Sequence, residues 1–110
     1  MTPLEFAEKY NLKVVTPGDG TREIKGAYWG DLLSWVMGRA KEDDAFVTVM
    51  ANVNTIAVAV LADVACVILC EGAHFDEMSI KRAEQQEVCI LESEEPAFQV
   101  ALKLGRELGL

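Results

Sequence analysis

The residues in this sequence whose types invite chemistry are one histidine, His74, three cysteines, Cys66, Cys70 and Cys89, and the carboxylates Glu92, Glu94 and Glu95. A nucleophile needs a base within hydrogen-bond reach, and no Ser or Cys pair flanks His74, while Ser79 and Ser93 lack an elbow motif. His74 therefore reads as a loop residue. Cys66 and Cys70, four apart on a strand, share one face at about 13 Å, too far to bind one metal ion. An odd cysteine count without paired short spacing fits free thiols that pack as small hydrophobes. Cys70, beside Glu71, is the one thiol placed to react. The acidic run fits a solvated face with favourable charges at a helix start. "GDG" at 18–20 precedes no helix, so no phosphate loop is present. No catalytic residue, metal or cofactor is expected.

The elements that must position these residues begin with "VNTIAVAVLADVACVILC", Val53–Cys70. A spanning helix needs about 20 apolar residues, and Asp63 interrupts the run at a cost of a few kcal/mol at a bilayer centre. The run reads instead as a helix capped by Asn54, a turn near Ala62 and Asp63, and a strand "VACVILC" apolar on both faces, as in a parallel sheet. Upstream, Thr2, Pro3 and Glu5 form a capping box for a helix to about Tyr10. "LKVV" is a strand, "TPGDGT" a turn, and "REIKG" a returning strand. Asp31 or Gly30 caps a helix from Leu32 to Gly38, and "AFVTVM" is the next strand. Asp76 caps a helix offering Met78, Ile80 and Ala83 to the core, and "VCIL" follows as a buried strand. The last helix presents Phe98, Ala101, Leu102 and Leu108 as its apolar stripe. This alternation implies a three-layer α/β sandwich with a mostly parallel sheet, in a single domain over 1–110.

Ten basic against 18 acidic residues, net −8, repel a phosphate backbone, which excludes nucleic acid as a partner. The start "MTPLEFAEKY" carries charges and no leader signal, so a cytoplasmic address and no membrane association are expected. In open α/β sheets ligands lie outside the strand carboxyl ends. That rule singles out three loops and a candidate small-molecule set: Asn52, Asn54 and Thr55, then Glu71, Gly72 and His74, then Ser93. Helix capping accounts for Asn54, Asp76 and Ser93 without a ligand. Tyr28, Trp29, Leu32, Trp35 and Val36 spread apolar surface over more than one side of a short helix. They are the candidate interface of a homodimer or a contact with another protein.

The order "IKGAYWGDLLSWVMGRAKEDDAFVTV", "NTIAVAV", "ACVILCEG" and "DEMSIKRAEQQEVCILESEEPAF" resembles small stand-alone members of the DRTGG domain family, from about Leu4 to Leu104. The resemblance implies a fold like the N-terminal domain of HPr kinase. It also implies a non-enzymatic regulatory or assembly role, found in relatives beside CBS domains of regulated pyrophosphatases, often at a dimer interface. Single-domain versions are associated with redox and hydrogenase gene groups, which implies a tie to redox or energy metabolism. A nucleotide-like sensor is the alternative role. The family is named for Asp-Arg and Thr-Gly-Gly. Here the first place reads Asn52-Val53-Asn54-Thr55, without the arginine, and the second reads Cys70-Glu71-Gly72, with one glycine.

Overall fold

A computed structural model describes all residues, 1–110. In chain order the elements are α1 (Pro3–Tyr10), β1 (Lys13–Thr16), β2 (Gly26–Trp29), α2 (Leu33–Arg39), β3 (Asp44–Thr48), α3 (Val53–Ala62), β4 (Cys66–Leu69), α4 (Glu77–Gln85), β5 (Ile90–Glu92) and α5 (Ala97–Leu108). The sheet runs β1-β5-β4-β3-β2, with β2 to β5 parallel and β1 antiparallel to β5. Strand residues alternate between two cores, as a period of two requires. Ala45, Val47, Cys66, Ile68 and Leu91 face α1 and α5, where Phe6, Val100 and Leu104 cover them. Phe46, Val67, Leu69 and Ile90 face α2, α3 and α4, where Val36, Ile56 and Ala83 cover them. This is the three-layer α/β sandwich expected. No helix is long and apolar enough to cross a membrane.

The capping box of α1 forms as read, with Glu5 N–H donating to Thr2 Oγ1 and Thr2 N–H to Glu5 Oε1. Other local expectations are corrected. "REIKG" is not a returning strand. β2 begins at Gly26 and lies at the sheet edge opposite β1, because Lys25 N–H bonds Asp43 O and sets "GAYW" beside β3. Asp31 does not cap α2, whose N-cap is Leu32 with no side-chain bond. Its carboxylate instead accepts from Thr48 Oγ1 and Val49 N–H, both at 2.9 Å, pinning the end of β3. The cap of α3 is Asn52, not Asn54, by accepting from Asn54 N–H at 2.9 Å. Val36 is fully buried in the α2–α4 core and cannot serve an interface. Met78 and Phe98 are exposed, and the buried stripe of α5 is Ala97, Val100 and Leu104.

The segment between β1 and β2 is held by one side chain. Arg22 donates from Nε and Nη2 to Asp43 Oδ1 at 3.1 and 2.5 Å, and from Nη1 to Asp63 Oδ1 at 2.9 Å. It also donates to Asp63 O at 2.9 Å and Val64 O at 3.2 Å. The planar fork thus ties two left-handed turn residues, Asp43 (φ 68) and Asp63 (φ 55), at the amino ends of β3 and β4. Arg22→Ala should lower unfolding free energy by roughly 1–3 kcal/mol, and Arg22→Lys should recover only part, measured by urea denaturation. The guanidinium holds the Asp43 carboxyl below its ordinary value. Its contribution is present above the ordinary aspartate range and lost as pH falls through the lowered value. Acid sensitivity should therefore shrink in Arg22→Ala.

Candidate functional site

The loops after β3, β4 and β5 do converge at the carboxyl edge, but the strand order there never reverses. β3, β4 and β5 are sequential neighbours, so no topological switch point opens a crevice among them. The first loop is closed by its own bonds: Thr55 is buried and donates to Met50 O at 2.6 Å, Asn52 caps α3, and Asn54 is exposed. The second loop is latched onto the third. Glu71 N–H donates to Glu95 O at 2.9 Å and Gly72 N–H to Ser93 O at 3.1 Å, so neither amide is free to bind an anion. Gly72 sits at φ 74, and a Cβ there would lie 2.7 Å from Glu94 Oε2. The left-handed φ favours glycine at this position, whereas the Glu94 carboxylate ends a flexible side chain that can give way.

The cleft that does form lies one strand further out. β1 is antiparallel, so its start sits beside the end of β5, and together they border an open cavity of about 330 Å³. Its lining is Tyr10, Asn11 and Lys13 on one side and His74, Glu92, Ser93, Glu94 and Glu95 on the other. His74 Nδ1 lies 2.8 Å from Glu92 Oε1, with Glu92 7 % exposed and His74 mostly in solvent. Ser93 Oγ accepts from Glu95 N–H at 3.1 Å, and Lys103 pairs with Glu95. Of the predicted set, the structure brings His74 and Ser93 into this cleft and leaves Asn52, Asn54, Thr55, Glu71 and Gly72 outside it. Tyr10, Asn11 and Lys13 were not foreseen. Asn11, left-handed at φ 57 where it ends α1, marks a turn in sequence but not what the turn meets. Three carboxylates against Lys13 suit a cationic or polar ligand and oppose a polyphosphate. Beside His74, Ser93 spends its oxygen as an acceptor in a turn, which is no activated nucleophile.

The thiols are placed away from solvent. Cys66, Cys70 and Cys89 are free and buried in the α1/α5 core, and no His, Cys, Asp and Glu group is arranged to hold a metal ion. Burial pushes Cys70 and Cys89 up to about 12 and Cys66 well above its ordinary value. This corrects the expectation for Cys70: its strand end lies beneath the latched loops, and its thiol stays neutral.

Apolar surface is instead exposed at the β2 edge. Trp29 (48 % exposed) meets Phe98 (57 %) of α5 at a ring-centroid distance of 6.5 Å, with Leu102 partly exposed one turn along. Tyr28 points to the opposite face and packs on the α2–α4 core. Leu32 and Trp35 are more than half exposed near α2, and Arg39 stacks 3.7 Å over the Trp35 ring. The predicted interface residues therefore divide: Trp29, Leu32 and Trp35 outward, Tyr28 and Val36 inward.

The sequence profile described as the DRTGG domain matches residues 30–106. No curated protein matches the chain in sequence. Among solved structures, the fold is similar to the CBS and DRTGG domains of the regulatory region of Clostridium perfringens pyrophosphatase, complexed with its activator, diadenosine tetraphosphate. The TM-score is 0.77 at 11 % identity, over 94 % of this chain and 46 % of that one. The chain thus spans about half the length of that region, and at such identity the likeness is one of fold.

Thiol titration checks the buried cysteines. Native protein at pH 8 should react with Ellman's reagent at none of its three thiols within minutes, and at all three once unfolded. Rapid native labelling of a thiol would contradict this placement.

Proposed function

Because the chain belongs to the DRTGG domain family, whose profile covers residues 30–106, we propose that it acts as a cytoplasmic regulatory or assembly module that self-associates, and not as a catalyst. The observation that carries this reading is the exposed aromatic surface. Trp29, Leu32, Trp35 and Phe98 are each about half exposed or more, on elements too short to cover them. Trp29 and Phe98 stand together, with Leu32 and Trp35 exposed near α2, and soluble chains seldom leave apolar side chains of this size in water, for which symmetric pairing is the commonest remedy. The catalytic alternative has little to stand on, since the thiols are buried and neutral and His74 faces a carboxylate. A tie to energy metabolism rests on the fold relative, a pyrophosphatase regulatory region.

A sensor of small molecules is the second reading, and the cleft between His74, Glu92 and Lys13 favours it. Its acidic lining points away from nucleotides, even though the Clostridium perfringens region is described with a dinucleotide activator. The place of the family's arginine, Asn52 to Thr55, carries no cation here either, and it lies outside this cleft.

Light scattering distinguishes the two readings. The wild type should be dimeric at tens of micromolar, and an engaged aromatic anchor is worth about 2 kcal/mol, so Trp29→Glu or Trp35→Glu should shift association about thirtyfold toward monomer with circular dichroism unchanged. A monomeric wild type, or two folded variants that both stay dimeric, would sink the self-association reading. In a thermal-shift series, the sensor reading expects a cationic metabolite to raise Tm and ATP to leave it unchanged.

A further inference from the structure

Glu92 is buried at the wall of the cleft, and its pairing is incomplete. Its side chain is 7 % exposed, and Oε1 meets His74 Nδ1 at 2.8 Å, while no donor of the chain reaches Oε2. That second oxygen opens on the cleft and is not sealed in the core. The antiparallel register sets Lys13 directly opposite Glu92, a position where opposite charges ordinarily pair. Here they do not. Lys13 has no ion-pair partner in the chain, and neither has Glu94. All three residues line the same cavity of about 330 Å³.

A buried carboxylate with an open oxygen is costly, and a bound cation recovers part of that cost. The charges left open state what the cation must bring with it. Lys103 neutralises Glu95. Neutral His74 donates from Nδ1 to Glu92 and leaves its charge in place. The cleft therefore keeps one free cation, Lys13, and two carboxylates, Glu92 and Glu94. A molecule that completes this set carries one carboxylate and two cationic groups. We propose that the cleft binds a basic α-amino acid, with its α-carboxylate on Lys13, its α-ammonium on Glu92 and its side-chain cation on Glu94. The proposal rests on the sensor reading of this cleft and names its ligand class.

The placement of the groups agrees with that assignment. Lys13 and Glu92 are neighbours across two strands, as the carboxylate and ammonium of an amino acid are neighbours on one carbon. Glu94 follows two residues later on the exposed rim, within the span of a longer side chain. Tyr10 supplies the apolar wall for the methylenes between. The cavity is at the small end of ligand sites, which run from about 300 to 1,000 Å³, and suits an amino acid better than a nucleotide. Other small ions match the lining less well. A diamine would set like charge against Lys13, and a dicarboxylate would meet Glu92 and Glu94. A bare metal ion finds no group of three ligands.

Isothermal titration calorimetry on the full chain with L-lysine, cadaverine and L-norleucine separates the contacts, because cadaverine lacks the carboxylate and norleucine the side-chain ammonium. The wild type should bind L-lysine at one site per chain and each analogue about tenfold more weakly. Lys13→Met should reduce L-lysine to the affinity of cadaverine, and Glu94→Gln should reduce it to that of norleucine. Both residues are exposed, so circular dichroism should stay unchanged, and the comparison of the three ligands on wild type needs no variant. Cadaverine bound as tightly as L-lysine overturns the amino-acid ligand and leaves a cation sensor standing. Failure of both L-lysine and cadaverine to bind overturns the ligand class and the sensor reading together. L-lysine binding that neither variant weakens puts the site elsewhere and overturns the proposal.

Discussion

The chain from Val64 to Cys70 is buried at every residue, and the rest of the molecule answers that one constraint. A strand with no polar face gains roughly 1.5–3 kcal/mol for each large side chain buried, but only if both of its faces are covered. On one face α2, α3 and α4 meet Val67 and Leu69. On the other, α1 and α5 meet Cys66 and Ile68. β3 and β5 flank β4 and share its two-sided burial, and because β2 to β5 follow one another in order, crossovers of one hand put all three connecting helices in a single layer. The carboxyl-edge loops are then neighbours in one row. They close on one another instead of parting around a ligand.

What the helices leave over is set by the same constraint. The α1/α5 face has fewer residues to cover five strands, and α5 does so by crossing to β2 and β3 with Ala97, Val100 and Leu104 turned inward. Its opposite stripe, Phe98 and Leu102, stays outside with Trp29. The surface most suited to a partner is therefore a by-product of covering β4 with a short chain. The cleft at the β5/β1 border has another origin. It exists because the one antiparallel strand brings Lys13 beside Glu92.

Much of this was legible in sequence, for reasons that differ by residue. The capping box at Thr2 and Glu5, the turn at Asp63 and the cap at Asp76 are local signals, and local bonds honour them. The two-faced strand was legible because "VACVILC" has no polar alternation. Asp31 was misread because its partners, Thr48 and Val49, are 17 and 18 residues away, and a carboxylate before an apolar run looks the same whether it caps or reaches across. β2 was misplaced because a strand at a parallel edge takes its register from β3, not from its own turn. Val36 and Trp35 are adjacent on one short helix, and composition alone could not say which faced inward. The cleft was only half legible: His74 and Ser93 sit where strand-end loops are expected, but Tyr10, Asn11 and Lys13 join them solely through the direction of β1.

If covering β4 on both faces organises the fold, the β4 amides are the last to open. Val67 N–H, bonded to Cys89 O at 2.9 Å in the middle of the sheet, is the reporter. Native-state hydrogen exchange resolved by residue reads it directly. The account predicts that Val67 and its β4 neighbours exchange only through global unfolding, with the same free energy as denaturant unfolding. Exchange of the β4 amides through a smaller opening, well below that global value, would contradict it.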